Sequence, residues 1–75
     1  MSSNQILVDA RQMRCPMPLL KLKQALNQAE VGQTVHLIAT DPASQRDCVS
    51  YIDMTDHQIR TEQSNQEFHF LVTKS

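Results

Sequence analysis

The chain has 75 residues, of which 40% are apolar and 20% charged, and a net charge of −1 at pH 7. We expect a single small domain over residues 1–75, with the composition of an ordinary globular protein. No apolar run approaches the roughly 20 residues that span a bilayer, and the near-neutral charge lacks the basic footprint of a direct nucleic-acid binder. The N-terminal sequence MSSNQ has neither the positive charge nor the apolar stretch of a signal peptide, so we expect a cytoplasmic protein that contacts no membrane.

The first half of the chain predicts a strand followed by a helix. The short apolar run QILV, residues 5–8, favours a strand, and a polar loop follows it as far as Arg14. Pro16 and Pro18 cannot lie in a helix interior but fit its first turn, where backbone N–H groups have no intrahelical partner. We therefore expect a helix from about Pro16, with Cys15 near its N-cap. The apolar face of this helix repeats at spacings of three and four residues and comprises Leu19, Leu22, Leu26 and Ala29.

The second half predicts a strand, a helix and two further strands. QTVHLIAT, residues 33–40, is rich in β-branched and apolar side chains and indicates a central strand. Asp41 before Pro42 is a helix-start signal, because the carboxylate caps the helix and proline fits its first position. This helix is expected to extend to about Met54, with an inner face of Val49, Ile52 and either Cys48 or Tyr51. The last strands are predicted at residues 58–63 and 67–73, joined by the turn SNQ, with Phe68, Phe70 and Val72 on one face of the final strand and His69 on the other.

The element order β-α-β-α-β-β predicts an α/β two-layer sandwich. Strand–helix–strand units favour parallel strands joined by right-handed crossovers. We expect a mixed four-stranded sheet. Since only two helices are available, both are expected on one face of that sheet.

Cys15 lies between Arg14 and Pro16, at the predicted start of the first helix. A helix N-terminus carries roughly half a positive charge and unpaired N–H groups, both of which stabilise a thiolate. Arg14 and Arg11 add positive charge, and no residue between Arg11 and Gln28 is acidic. Cysteines in such surroundings have lowered pKa values and are nucleophiles. We therefore interpret Cys15 as the catalytic residue, with Pro16 and Pro18 making the first helical turn rigid.

Few other chemistries fit the remaining residues. A C-x-x-C redox pair is absent because position 18 is proline, and Cys48, among apolar neighbours in a predicted helix, is typical of core packing. The histidines at positions 36, 57 and 69 lie in or beside strands and turns, so the sequence predicts neither a base next to Cys15 nor the close ligand pairs of a zinc site. We expect no metal and no cofactor.

Three roles remain open for this chain. A sulfur carrier would hold a persulfide on Cys15, whereas a redox or regulatory module would form mixed disulfides through the same residue. An RNA-binding module is a third reading. It is disfavoured because the chain has only one tyrosine, two phenylalanines and no tryptophan, and both phenylalanines are predicted in the core.

Two methionines flank the cysteine. Met13 precedes it, Met17 follows it, and Lys21 comes one helical turn later. Methionine makes adaptable contact surfaces, so we expect these residues to form a rim that docks partner proteins. Packing of Met17 inward against the sheet is the alternative. A carrier that exposes its thiol to two partners works as a monomer, which is the state we expect.

The stretch LVDARQMRCPMPLLKLKQAL, residues 7–26, closely resembles the opening signature of the TusA family of sulfur carriers, which has C-P-x-P at its centre. TDPASQRD, residues 40–47, resembles the second signature of that family, at the start of its second helix. The tetrapeptide alone would be a weak match. The flanking residues and the second signature in register make the resemblance specific over nearly the whole chain.

The resemblance implies the β-α-β-α-β-β sandwich and identifies Cys15 as the sulfur-carrying cysteine. Asp9 and Arg11 match the loop residues before it, and Pro16 and Pro18 match the motif prolines. In this family the cysteine receives persulfide sulfur from a cysteine desulfurase or a rhodanese-like donor and passes it to a downstream thiol acceptor protein. The pathways served include tRNA thiolation, molybdenum cofactor synthesis and sulfur oxidation.

The chain departs from the family pattern at a few positions. Gln12 stands where the family usually has glycine, the residue that enters positive φ without strain, so we expect a different turn in this loop. Cys48 stands where the family usually has an aliphatic residue or phenylalanine. MTDHQ, after the second helix, has no glycine. These departures leave the carrier chemistry unchanged but affect which donor and acceptor proteins the chain binds.

Overall fold

The computed structural model describes residues 5–14 and 16–75. The predicted order of elements is confirmed: β1 (Gln5–Ala10), α1 (Met17–Gln28), β2 (Thr34–Ala39), α2 (Pro42–Asp53), β3 (Gln58–Ser64) and β4 (Glu67–Thr73). Neither of the two helices in this part of the chain is long and apolar enough to cross a membrane.

The predicted mixed sheet is confirmed, with four strands in the order β1-β2-β4-β3. β1 and β2 are parallel, whereas β4 runs antiparallel to both β2 and β3. β2 is a central strand, as predicted. This arrangement brings the C-terminal ends of β1 and β2 and the N-terminal end of β4 to one edge of the sheet.

The alternation of side chains along the strands determines which face of the sheet carries the helices. On β2 and β4 every second residue is buried, and the buried positions are Val35, Leu37 and Ala39 on β2 and Phe68, Phe70 and Val72 on β4. Residues of both helices join this cluster, so the two helices cover one face, as predicted. The intervening residues, His36 and His69 among them, lie on the opposite face, which no element of residues 5–14 and 16–75 covers.

The inner faces of the helices differ in detail from the prediction. On α1, Pro18, Leu22, Ala25, Leu26 and the C-cap Ala29 are buried, whereas Leu19 is only half-buried. On α2 the buried residues are spaced by four and are Ser44, Cys48 and Ile52, whereas Val49 and Tyr51 are half-buried. The predicted choice between Cys48 and Tyr51 therefore falls on Cys48, which has no exposed surface and packs in the core as expected.

Several element boundaries shift by one or two residues. β2 is one residue shorter at each end than the predicted 33–40, and α2 ends at Asp53, one residue before the predicted end. Three other shifts have identifiable reasons. β1 continues past Val8 because Asp9 and Ala10 still pair with β2. α1 begins at Met17 with Pro16 as its N-cap, one residue later than predicted. The carbonyl of Pro16 nevertheless accepts the N–H of Leu20 at 3.0 Å, so this proline already belongs to the first turn. β3 extends one residue beyond the predicted 58–63 because Ser64 still pairs with β4.

The C-terminal segment holds the far end of α1. The Lys74 ammonium donates to the carbonyl oxygens of Leu26 and Ala29, both at 2.8 Å. Gly32, with φ of 91°, turns the chain there and donates its N–H to the carbonyl of Lys74 at 2.7 Å. A cation against the last carbonyls of a helix is favourable, so Lys74 serves as a cap from another element.

Candidate functional site

The segment from Asp9 to Arg14 contains the end of β1 and the loop that leads to α1. It carries three of the predicted site residues, Arg11, Met13 and Arg14. Its neighbours across the sheet edge are Thr40, which follows β2, and Glu67, which begins β4. The three segments border an open cleft of about 560 Å³. In open α/β sheets, ligands bind at the carboxyl ends of the parallel strands, and this cleft is at that edge.

Arg11 is held by two carboxylates. Its Nε and Nη2 donate to the two oxygens of Asp9, each at 2.9 Å, and its Nη1 lies 3.4 Å from Oε2 of Glu67. The hydrogen bonds from Arg11 hold the pKa of the Asp9 carboxyl at about 2, below its ordinary value of 3.8. The hydrogen bond to Asp9 in turn raises the pKa of Arg11. Arg11 therefore ties the loop to β4, and its positive charge is offset locally by its acidic partners.

Gln12 occupies an unusual backbone conformation. Its φ is 66°, in the left-handed region that glycine enters freely and that other residues enter at a cost. The N–H of Met13 donates to the carbonyl of Ala10 at 3.2 Å, which closes a turn with Gln12 at its third position. The N–H of Gln12 donates to Oγ1 of Thr40 at 2.8 Å. Position 12 therefore keeps the left-handed conformation that glycine would adopt freely, and glutamine adopts it at the cost of strain.

The start of α1 presents positive charge. Arg14 is exposed, and its carbonyl accepts the N–H of Met17 at 2.8 Å. The first turn of α1 contains no acidic residue, and among residues 5–14 and 16–75 no side chain caps its N-terminus. Pro18, at the second helical position, is fully buried and anchors this turn in the core. Cys15, between Arg14 and Pro16, lies outside the described residues.

The predicted docking residues divide into two groups. Met17 is 44% exposed, which favours the rim over the inward alternative, whereas Met13 is half-buried and packs against the core. Lys21 is half-buried one turn along the helix. Leu20 is 43% exposed beside Met17 and was missed by the sequence reasoning, although its spacing of three from Met17 places both on one side of a helix.

The open face of the sheet carries a polar chain that the sequence did not reveal. Nε2 of His36 lies 2.9 Å from Nδ1 of His69, and Nε2 of His69 lies 3.3 Å from Oε1 of Glu67. Glu67 therefore joins the histidine pair to Arg11. His57 lies elsewhere, where its Nδ1 accepts the N–H of Ser75 at 3.1 Å. Within residues 5–14 and 16–75, no group of three or more histidine, cysteine or acidic side chains is arranged to hold a metal ion.

Comparison with known proteins identifies relatives over almost the whole chain. The family model described as Sulfurtransferase TusA matches residues 6–74. The sulfur carrier protein TusA of Allochromatium vinosum is 38% identical over 69 residues, which cover 91% of each chain. The crystal structure of a SirA-like protein from Desulfitobacterium hafniense superposes with a TM-score of 0.81 at 23% identity, covering 91% of this chain and 95% of that one. The last similarity shows that the two chains share a fold.

Proposed function

Since the chain belongs to the TusA family, we propose that it is a sulfur carrier that holds sulfane sulfur on Cys15. The donor is a cysteine desulfurase or a rhodanese-like protein, and the acceptor is a protein thiol in sulfur metabolism, such as tRNA thiolation or molybdenum cofactor synthesis. The proposed carrier acts in the cytoplasm as a monomer of one domain.

The proposed transfer conserves atoms, charge and electrons. The Cys15 thiolate attacks the outer sulfur of the donor persulfide, and a new S–S bond forms on Cys15. The donor S–S bond breaks, and its electron pair leaves with the donor cysteine as a thiolate. The outer sulfur keeps its proton throughout, so Cys15 becomes a persulfide. A thiolate of the acceptor repeats the step and returns Cys15 to its starting form.

The observation that carries the proposal is the positive start of α1. The exposed Arg14 immediately precedes Cys15, and the first turn of the following helix contains no acid. The partial positive charge of a helix N-terminus and a neighbouring guanidinium both favour a thiolate. Arg11 contributes mainly by holding the loop, because Asp9 and Glu67 already pair with it.

Partner proteins dock, in this proposal, on a rim formed by Met17 and Leu20. Both side chains are more than 40% exposed beside the cysteine in sequence, and Arg14 and Lys21 lie on the same stretch. An apolar centre flanked by cations suits a partner with an apolar contact flanked by acidic residues. Transient docking of this kind allows the carrier to release the donor and bind the acceptor.

The test is an intact mass measurement after incubation with a cysteine desulfurase and cysteine. Wild type, Cys15→Ser and Cys48→Ala are treated side by side without reductant and then washed with reductant. We expect one added sulfur atom on wild type and Cys48→Ala, none on Cys15→Ser, and removal by the wash. A mixed disulfide with the donor and no added sulfur would instead support the redox module. No adduct from a desulfurase, a rhodanese or thiosulfate would refute the carrier.

A further inference from the structure

Thr40 stands at the junction of the two sequence signatures. It directly follows β2, whose last residue Ala39 pairs with Ala10 at the end of β1. Its side chain is half-buried and borders the cleft that the loop before Cys15 also lines. Oγ1 of Thr40 accepts the N–H of Gln12 at 2.8 Å, so this hydrogen bond ties the loop after β1 to the end of β2.

The backbone that follows Thr40 is held by the capped start of α2. The next residue, Asp41, is the N-cap of α2, and its Oδ1 accepts the N–H of Ala43 at 3.0 Å. Pro42 follows at the first helical position, where its fixed φ suits the helix. Thr40 is therefore fixed on one side by the pairing of β2 and on the other by a capped helix.

The hydrogen bond from Gln12 to Thr40 is made by the strained residue of the loop. A side-chain-bearing residue in the left-handed region is about 1–2 kcal/mol less stable than in the right-handed one. Gln12 has φ of 66°, and no other residue from Asp9 to Arg14 has a positive φ. A loop under such strain relaxes unless a neighbouring group holds it. The hydrogen bond from Thr40 acts at that point, three residues before Cys15.

We propose that Thr40 is a positioning residue for sulfur transfer, which holds the strained Gln12 turn and thereby sets the approach of the chain to Cys15. The proposal rests on the function proposed above. It assigns a role to the first residue of TDPAS: the threonine fixes the loop, while the aspartate and proline start α2. It also predicts that the need for Thr40 arises from glutamine at position 12, and that glycine there removes the need.

The test compares Thr40→Val, which loses the acceptor, with Thr40→Ser, which keeps it, and with the double variant Gln12→Gly/Thr40→Val. Two rates are measured on each: persulfide loading from a cysteine desulfurase and alkylation of Cys15 by iodoacetamide across a pH series. Cys48 is fully buried and so provides an internal control, because it is alkylated only when the chain unfolds. Labels at Cys15 alone therefore report the folded protein.

We expect Thr40→Val to slow loading by about 2- to 10-fold, the range that follows from losing one neutral hydrogen bond. Thr40→Ser should stay near wild type, and glycine at position 12 should restore the rate of Thr40→Val. Loading of Thr40→Val at the wild-type rate would overturn the proposal, as would Thr40→Ser as slow as Thr40→Val. Alkylation of Cys15 should be slower or faster in Thr40→Val than in wild type, with Thr40→Ser close to wild type. If wild type and all variants fail to take up sulfur while this difference in alkylation is seen, the carrier function fails, but Thr40 still holds the loop before Cys15.

Discussion

Replacement of Gln12 by glycine should stabilise the protein. The residue has φ of 66°, and its side chain is exposed, so the substitution removes strain and few contacts. Relief of the left-handed conformation contributes about 1–2 kcal/mol, and the greater freedom of glycine in the unfolded chain offsets about 0.4–1 kcal/mol of it. The free energy of unfolding should therefore rise by about 0.5–1 kcal/mol. For a domain of this size, such a change raises Tm by about 2–8 °C.

Urea denaturation of wild type and Gln12→Gly, fitted with a common slope, measures this difference directly. Asn65→Gly is the matched control, because Asn65 also has a positive φ, of 57°, in the turn between β3 and β4. Asparagine tolerates the left-handed region far better than glutamine, so the control should change stability by less. Equal effects of the two substitutions, or a loss of stability in Gln12→Gly, would refute the argument from strain.

Three further predictions concern the helix cap, the loop ion pair and the docking rim. Lys74→Met should lower the free energy of unfolding by about 1–2 kcal/mol in urea titrations, since two charge-assisted hydrogen bonds to the end of α1 are lost; an unchanged midpoint would contradict the capping role. The pKa of Asp9 is lowered to about 2, so its pairing with Arg11 stabilises the fold above the ordinary value of 3.8 and is lost as pH falls toward 2. Thermal unfolding should therefore separate wild type from Asp9→Asn at pH 6 and show convergence near pH 2, whereas a gap that persists at low pH would contradict this assignment. Leu20→Ala should slow sulfur loading by about 5-fold at unchanged stability. The control is Val31→Ala, because Val31 is 76% exposed beyond the other end of α1, and it should leave the loading rate unchanged. Equal loading rates for the two variants would show that Leu20 does not contact the partners.

Most of the fold could be predicted from local patterns. The bounds of β4 were predicted correctly because Phe68, Phe70 and Val72 alternate cleanly with half-buried residues between turn signals. β1 was predicted too short because Asp9 is polar, and its place in the strand depends on pairing with Ile38 of β2. Pairing with a distant strand leaves no signal in the local sequence, so the ends of strands are harder to predict than their centres.

The candidate site was predictable only in its local part. Arg14 and the two prolines after Cys15 form a motif that can be recognised in the sequence. The exposure of Met17 agrees with the predicted surface position. The partner of Arg11 in β4, Glu67, is 56 residues away in sequence. Likewise, the acceptor for the N–H of Gln12 is 28 residues away, on Thr40. Such contacts depend on the order of the strands in the sheet, so they cannot be inferred from the sequence until that order is known.

Whether Cys15 carries the sulfur can be determined by locating labelled sulfane sulfur in the chain. The protein is loaded by a cysteine desulfurase with radiolabelled cysteine, the persulfide is blocked by alkylation, and the chain is digested with trypsin. The two cysteines fall in separate tryptic peptides, at residues 15–21 and 47–60. We expect label on the first peptide alone and its loss when an acceptor thiol is added before alkylation. Label on the second peptide, or on neither, would show that Cys15 does not carry the sulfur.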